Sequence, residues 1–436
     1  AMRTRLWRRV VLLLILIVLS AASTGCWGRL ELENQSLATV LGVDNGTGKR
    51  LRLTARVAVP RVAAGGPGGG DSAGPPGGFP ITAEGEDMLD ALDQIQQITG
   101  RDVTVAHLTI LVLGEEFART DVGPVVDVFS RTLQFRPNTL VVTCKERAED
   151  FVQEFTPGEE TEPSVMIRKL IESTHNTLGG SPFVTMQDFT NAYGTAASDP
   201  WTPYMALASA SAKEPPSGSS DVEGADDEAK SPEDPMAAGD KSKDGDQTQG
   251  RKVVRVLGSA VYTKIGQHVR MVGSLDFHET MGASMLAGDF KNAVLEMAFP
   301  ESHEEVSVRF RHASIRRKVN VEGNTTYVTW VIRIAATIDE IAVHATLEEL
   351  GEEFAEDVVI TAQEELGALL AKTFRKLQSF RSDVTRLGRS VQMEFATTPE
   401  WEAFNWRERF TEARETFDIR IRLTNSGFVY RHPHPR

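Results

Sequence analysis

Between Ala208 and Lys252 the chain is made of proline, glycine, serine and acidic residues with almost no large apolar side chain. Such a stretch buries too little surface to offset the entropy of ordering it, so disorder is expected there. It is expected to separate two folded regions, 26–207 and 253–436. From Lys213 to Gly250 eleven acidic residues face four lysines, so much of the formal charge of −14 is local. A chain of 436 residues with 41% apolar content can build two or three ordinary domains. Its acidic balance argues against a nucleic-acid partner, and it predicts repulsion from anionic lipid headgroups.

The first 25 residues have a different character. Arg3, Arg5, Arg8 and Arg9 precede an unbroken apolar run, Val10 to Leu19, followed by the small residues Ser20 to Gly25 and then Cys26. That is the three-part layout of a secretory signal peptide. As a helix, Val10 to Ala22 would rise about 20 Å against the roughly 30 Å of a bilayer's hydrocarbon core. With the arginines held on the cytoplasmic side, the remainder is exported. Small residues immediately before a cysteine suit a lipoprotein-processing peptidase, which makes residues 1–25 a lipoprotein signal peptide and Cys26 the candidate lipidation site. A diacylglyceryl thioether supplies two chains, enough for stable anchoring. Ser23 stands where a lipobox usually carries leucine. Spacing alone therefore leaves open cleavage after Ala22 or an uncleaved anchor. The only other cysteine, Cys144 in TLVVTCKE, reads as a small buried strand residue, and two cysteines exclude a disulfide scaffold.

The patterns between these segments predict an α+β, multi-domain chain of mixed β-sheets packed with helices. Leu37 to Val59 reads as a hairpin turning at Asn45-Gly46. A glycine- and proline-rich loop, Ala63 to Pro80, follows, and it lacks the lysine that a phosphate-binding loop requires. Thr82 to Thr99 has a helical apolar stripe. Val103 to Gly114 reads as a strand and Glu115 to Leu133 as helix, with Pro124 marking a break or new start. Thr139 to Thr143 is a further strand, Glu146 to Phe155 a short helix, and Ser164 to Leu207 helices and loops. In the second region, two strands turn at Ile265 to Gln267. Val306 to Ile315 alternates, and Arg316 to Val321 pairs with Thr326 to Ile338. A long helix from Leu347 to Phe380, which Gly351 and Gly367 could interrupt, is expected to cover a largely antiparallel sheet. Pro399 to Glu415 reads as another helix, and Phe417 to Leu423 as a last strand.

Catalytic constellations are missing from the sequence. Gly-x-Ser-x-Gly, HExxH and CxxC do not occur. The nine histidines are scattered; His344 with Glu348, and His432 with His434, are poor metal-site candidates. Composition and spacing point to an exported, lipid-tethered, non-catalytic protein.

Several stretches in order resemble the Ger(x)C family, the C-subunit lipoproteins of spore germinant receptors. They are GCWGRLELENQSLATVLGVD at the mature start, HLTILVLGEEFARTDV, GSAVYTKIGQHVRMVGSLDFHETMG with its Glu-Thr-x-Gly turn, and FRKLQSFRSDVTRLGR with PEWEAFNWRERF and IRIRLTNSGF. The resemblance implies mixed α/β domains held by acyl chains on Cys26 at the outer face of the inner spore membrane. It implies action with integral-membrane A and B subunits, no enzymatic activity and no cofactor. It leaves direct germinant contact undecided. Trp27, Trp401 and Trp406 match motif positions, where a structural role is expected. A different class with the same tether, a solute-binding lipoprotein feeding a transporter, would require two lobes around a ligand cleft.

Overall fold

The computed structural model describes residues 7–8, 11–16, 35–58, 78–132, 134–155, 162–209, 252–299, 304–341 and 347–425. Strand β1 (Gln35–Asn45) pairs antiparallel with β2 (Leu51–Ala58), as the two apolar runs require. The turn between them is not the tight one expected. Pairing ends at Asn45 opposite Leu51, and neither Asn45 nor Gly46 takes positive φ. The loop is organised instead by Glu84. Its carboxylate accepts from the Thr47 hydroxyl and from the N–H groups of Thr47, Gly48 and Lys49. These donors, the Thr47 hydroxyl foremost, hold the Glu84 carboxyl down at about 2.

Glu84 lies in β3 (Phe79–Gly85), where a helix starting at Thr82 was expected. The helix α1 (Met88–Thr99) starts later, because Asp87 caps the N–H groups of Leu89 and Asp90 and the residues before it pair with β2. The expected strand Val103 to Gly114 is two, β4 (Asp102–Thr104) and β5 (Ile110–Gly114). After α2 (Glu115–Ala118), Pro124 opens α3 (Gly123–Arg131) within its first turn. Then come β6 (Leu140–Cys144), α4 (Ala148–Glu154), α5 (Pro163–Ser173) running into a π turn at Thr174–Leu178, and α6 (Met186–Tyr193). A strand that periodicity missed follows, β7 (Trp201–Ser209). Its first six residues are all buried, so it carries no alternation to read.

Strands β8 (Lys252–Ile265) and β9 (His268–Leu275) turn at Gly266, as expected. The Ala208–Lys252 expectation needs correction at both ends. Ala208 and Ser209 belong to β7 and Lys252 to β8, and the two strands pair directly, with Ser209 opposite Lys252. The segment therefore joins two strands that are neighbours in one sheet. Residues 210–251, and the disorder expected of them, lie outside the described residues. The sheet runs β3-β2-β1-β5-β6-β7-β8-β9, with β4 beside β1. Its middle strands β1, β5, β6 and β7 are parallel. Both of its faces are covered. Val40, Ile110, Val112 and Val142 pack with α4 and α5 on one side. Leu41, Leu111, Leu113 and Val141 face a larger apolar core that continues into the second region.

The Glu-Thr-x-Gly stretch, expected to be a turn, is the helix α7 (Phe277–Ala287), opened by a capping box between Asp276 and Glu279. A second sheet follows: β10 (Asn292–Phe299), β11 (Glu304–Glu322), β12 (Thr325–Ile341) and, last in the chain, β13 (Arg414–Asn425). The segments Val306 to Ile315 and Arg316 to Val321, read separately in the sequence, are one strand, irregular between Arg311 and Ser314 where His312 takes positive φ, and the expected pairing of Arg316 to Val321 with Thr326 to Ile338 is present. Pairing is antiparallel except β12 with β13. The helix α8 (Leu347–Phe380) continues through Gly351 and Gly367 and buries Val358, Ala362, Leu366, Leu370, Phe374 and Leu377. Trp330 on β12 is fully buried, with ring contacts to Phe374 on α8 and Phe417 on β13. After α9 (Leu387–Gln392), the helix expected from Pro399 to Glu415 is broken. It divides into α10 (Thr398–Phe404) and α11 (Trp406–Arg409) at Asn405, which takes φ of 51°. A short 3-10 turn and the start of β13 complete that interval.

Because Ser209 and Lys252 are already paired, a short hairpin loop can replace residues 212–249 without moving either strand. Closing a shorter loop costs less entropy, so the shortened chain should gain about 1 to 2 kcal/mol of stability. Urea unfolding of the two chains measures this, and a large loss would mean the β7–β8 pairing depends on the removed residues.

Candidate functional site

Three stretches distant in sequence meet where α8 ends. Beyond Phe380, Arg381 takes φ of 53° and turns the chain back on itself. The Ser382 hydroxyl donates to the Tyr262 carbonyl at 2.6 Å, which ties this turn to β8. Asp383, almost fully buried, accepts from the Thr385 hydroxyl at 2.6 Å and from the N–H groups of Leu387 and Gly388 at 3.1 and 2.7 Å. It also accepts the indole N–H of Trp406 at 2.9 Å. A side chain at Gly388 would drive into that indole, its Cβ falling 2.4 Å from Trp406 Nε1, so glycine is the residue that fits.

Asp199, just before β7, completes the cluster. Its N–H donates to the Asp383 carbonyl while its carboxylate accepts the Asp383 N–H, both at 2.9 Å. The guanidinium of Arg407 donates to the same carboxylate at 2.5 Å. Burial still pushes the Asp199 carboxyl above the ordinary aspartate range, outweighing Arg407 and the Asp383 N–H. Two buried carboxylates, each met by N–H and O–H donors, form a clasp that locks the C-terminal segment to the first sheet. Trp406 belongs to this clasp. Trp401, buried, packs nearby on Phe395 and Phe404. The structural role expected of both tryptophans agrees with these contacts.

A second ionic contact links α7 to α8. Burial alone would raise the Glu279 carboxyl, but Lys376 at 2.5 Å, the Asp276 N–H and Lys372 bring it below its usual value. Cys144 is fully buried, its thiol donates to the Glu146 carbonyl at 3.2 Å, and burial raises its pKa well above normal, which suits a packing residue and not a nucleophile. A solvent-open groove of about 530 Å³ runs between α8 and β13, lined by Ile360, Gln363, Gly367, Arg375, Phe417 and Ile419.

Cys26 and Trp27 lie outside the described residues, as do His344, His432 and His434. Among the described residues no group of three or more His, Cys, Asp or Glu side chains is placed to hold a metal ion. Residues 11–16 are helical, and Leu12 to Leu16 leave their side chains largely exposed. Asp199, Asp383 and Arg407 were not anticipated from the sequence. The one local signal is the Asp383-x-Thr385 spacing, a side-chain-directed turn.

Comparison with known proteins gives a consistent result. Residues 28–207 match the family model described as the spore germination protein N-terminal domain. Residues 258–427 match the one described as spore germination B3/GerAC like, C-terminal. Spore germination protein YndF of Bacillus subtilis (strain 168) is 22% identical over 450 residues, covering 98% of this chain and 99% of the relative. Spore germination protein KC of the same organism is 22% identical over 398 residues, 90% of this chain and 89% of the relative. The crystal structure of the GerBC protein is 15% identical with a TM-score of 0.49, over 88% of this chain and 97% of that one.

Arg407→Met removes the only cation on Asp199 among the described residues and should cost about 3 to 5 kcal/mol at pH 7. Asp199 has a raised folded pKa, so the cost of leaving it charged is absent below the unfolded value near 4 and grows as pH rises above it. Urea unfolding at pH 4 and pH 7 should therefore show the smaller loss at pH 4. Equal losses at both would mean that Arg407 acts through packing alone.

Proposed function

The chain belongs to the Ger(x)C family of spore germination proteins, and we propose that it is the lipid-anchored, non-catalytic subunit of a spore germinant receptor. The observation that carries this reading is the match of both family domains in chain order, across residues 28–207 and 258–427. In this reading the protein sits on the outer face of the inner spore membrane and acts with integral-membrane A and B subunits in nutrient-triggered germination.

The attachment is assigned to Cys26, after the basic, apolar and small-residue leader. Among the described residues no helix is long and apolar enough to cross a membrane. Two acyl chains on one thioether bury enough methylenes for stable anchoring, and a third on the freed amine would strengthen it. The clasp around Asp383 and Asp199 supports a scaffold role, since its carboxylates are consumed in holding backbone and side-chain donors. The groove between α8 and β13 offers a place for protein contact.

The solute-binding alternative asks for two lobes that close on a cleft. A sheet running without interruption from β3 to β9, and an apolar core shared by both regions, favour the receptor-subunit reading over it.

Mass spectrometry of the native amino terminus should find diacylglyceryl on Cys26 with residues 1–25 removed. Cys26→Ala should release the protein from the membrane fraction. Deleting the gene should leave growth and sporulation intact and slow germination on nutrients. An unmodified Cys26 would remove the anchor from this reading, and unchanged germination on every nutrient tested would remove the receptor role.

A further inference from the structure

The second sheet has one covered and one open face. Val306, Val308, Phe310, Val328, Trp330 and Ile332 are buried on the side of α8. The alternate positions turn outward, and the middle of that outward face is basic. Arg311, Arg316 and Lys318 on β11 and Arg414, Arg420 and Arg422 on β13 are exposed. Arg333 of β12 lies between them, with Ser314 and Arg420 as its cross-strand partners. The one acidic residue in this central band is Asp418, which bonds Arg333 at 2.8 Å and lies 3.7 Å from Arg420. Toward the ends of the face are Glu296, Glu340, Glu322 and Asp339, the last paired with Arg309 at 2.5 Å. Arg311, Arg316, Lys318 and Arg422 have no ion-pair partner among the described residues.

Like charges facing one another across strands oppose sheet formation. Arg333 and Arg420 face one another in this way, in a chain whose formal charge is −14. The charges also extend in two dimensions: about 4.8 Å from strand to strand and roughly 6.8 Å between same-face neighbours along each strand. A nucleic-acid strand follows a linear track and is gripped by stacked aromatic rings. On this face the ring is Tyr327, and the Arg414 guanidinium lies over it at 5.9 Å. A planar layer of negative groups fits the arrangement better.

We propose that the open face of the β10–β13 sheet docks on an anionic lipid bilayer, which would orient the protein on the membrane. This deepens the lipid-anchored reading and rests on it for the presence of a bilayer. Each Lys or Arg near an anionic leaflet strengthens binding about fivefold, and the effect fades with salt.

The test uses the full native chain with an environment-sensitive fluorophore on Thr329→Cys, in the middle of the face, and a control label on Lys264→Cys in the other sheet. Flotation with neutral phosphatidylcholine vesicles reads the anchor alone. On vesicles carrying phosphatidylglycerol, the Thr329 label should shift blue and brighten, and 0.5 M salt should reverse this, while the Lys264 label stays unchanged. Arg311→Glu/Arg316→Glu/Lys318→Glu/Arg422→Glu should weaken the response at least tenfold, and the milder Arg311→Gln/Arg422→Gln should weaken it in part. Flotation only with anionic vesicles, with the label responding, would count against the anchor and support the face. Flotation with both vesicle types while the Thr329 label stays silent would overturn the face and leave the anchor standing. A response to mixed-sequence RNA equal to that on phosphatidylglycerol would also overturn it.

Discussion

Strands β7 and β8 pair along nine residue pairs, from Trp201 opposite Val261 to Ser209 opposite Lys252. This antiparallel contact carries the parallel sheet of the first region into the second. It sets β8 beside β7, and β9 beside β8, so that α7 and α8 can pack on the same apolar core as α1, α3 and α6. At Gly273 on β9, a Cβ would fall 2.4 Å from the ring of Phe380 at the end of α8, so that ring lies directly on the strand backbone.

The Asp383 clasp depends on that fusion. Asp199 leads into β7, Tyr262 and Thr263 come from β8, and Asp383, Trp406 and Arg407 come from the final fifth of the chain. A buried carboxylate is tolerated only when its acceptor sites are filled. Here backbone N–H groups, the Thr263 and Thr385 hydroxyls, one indole and one guanidinium fill them. The motif stretches that suggested the family, around FRSDVTRLG and NWRERF, are thus residues that hold the molecule together. Their chemistry is spent on geometry, each carboxylate being taken up by backbone and side-chain donors.

Much of the architecture was legible. The turn at Gly266, the start of a helix at Pro124, the long helix to Phe380 and the two-faced second sheet follow from local chemistry: a positive φ, a proline at the first turn, and periods of 3.6 and 2. The misses have equally physical causes. β7 is buried on both faces and so has no period. The helix start moved from Thr82 to Met88 because β2 offered an edge to pair with and Asp87 a better cap. Asn45-Gly46 lost its tight turn because Glu84, distant in sequence, supplies acceptors for a wider loop. The net charge suggested repulsion from anionic lipid, yet it averages over the basic alternate positions of β11 and β13.

By itself the amino-acid sequence determined the existence of most helices and strands, and the family. Each of these is encoded in residues close together along the chain. Tertiary structure alone decided that one sheet spans the acidic segment, that Asp199 and Asp383 share a buried clasp, and that arginines from separate strands form one basic face. Those features depend on which strand lies beside which, and pairing partners far apart in the chain leave no mark on the local pattern that either carries.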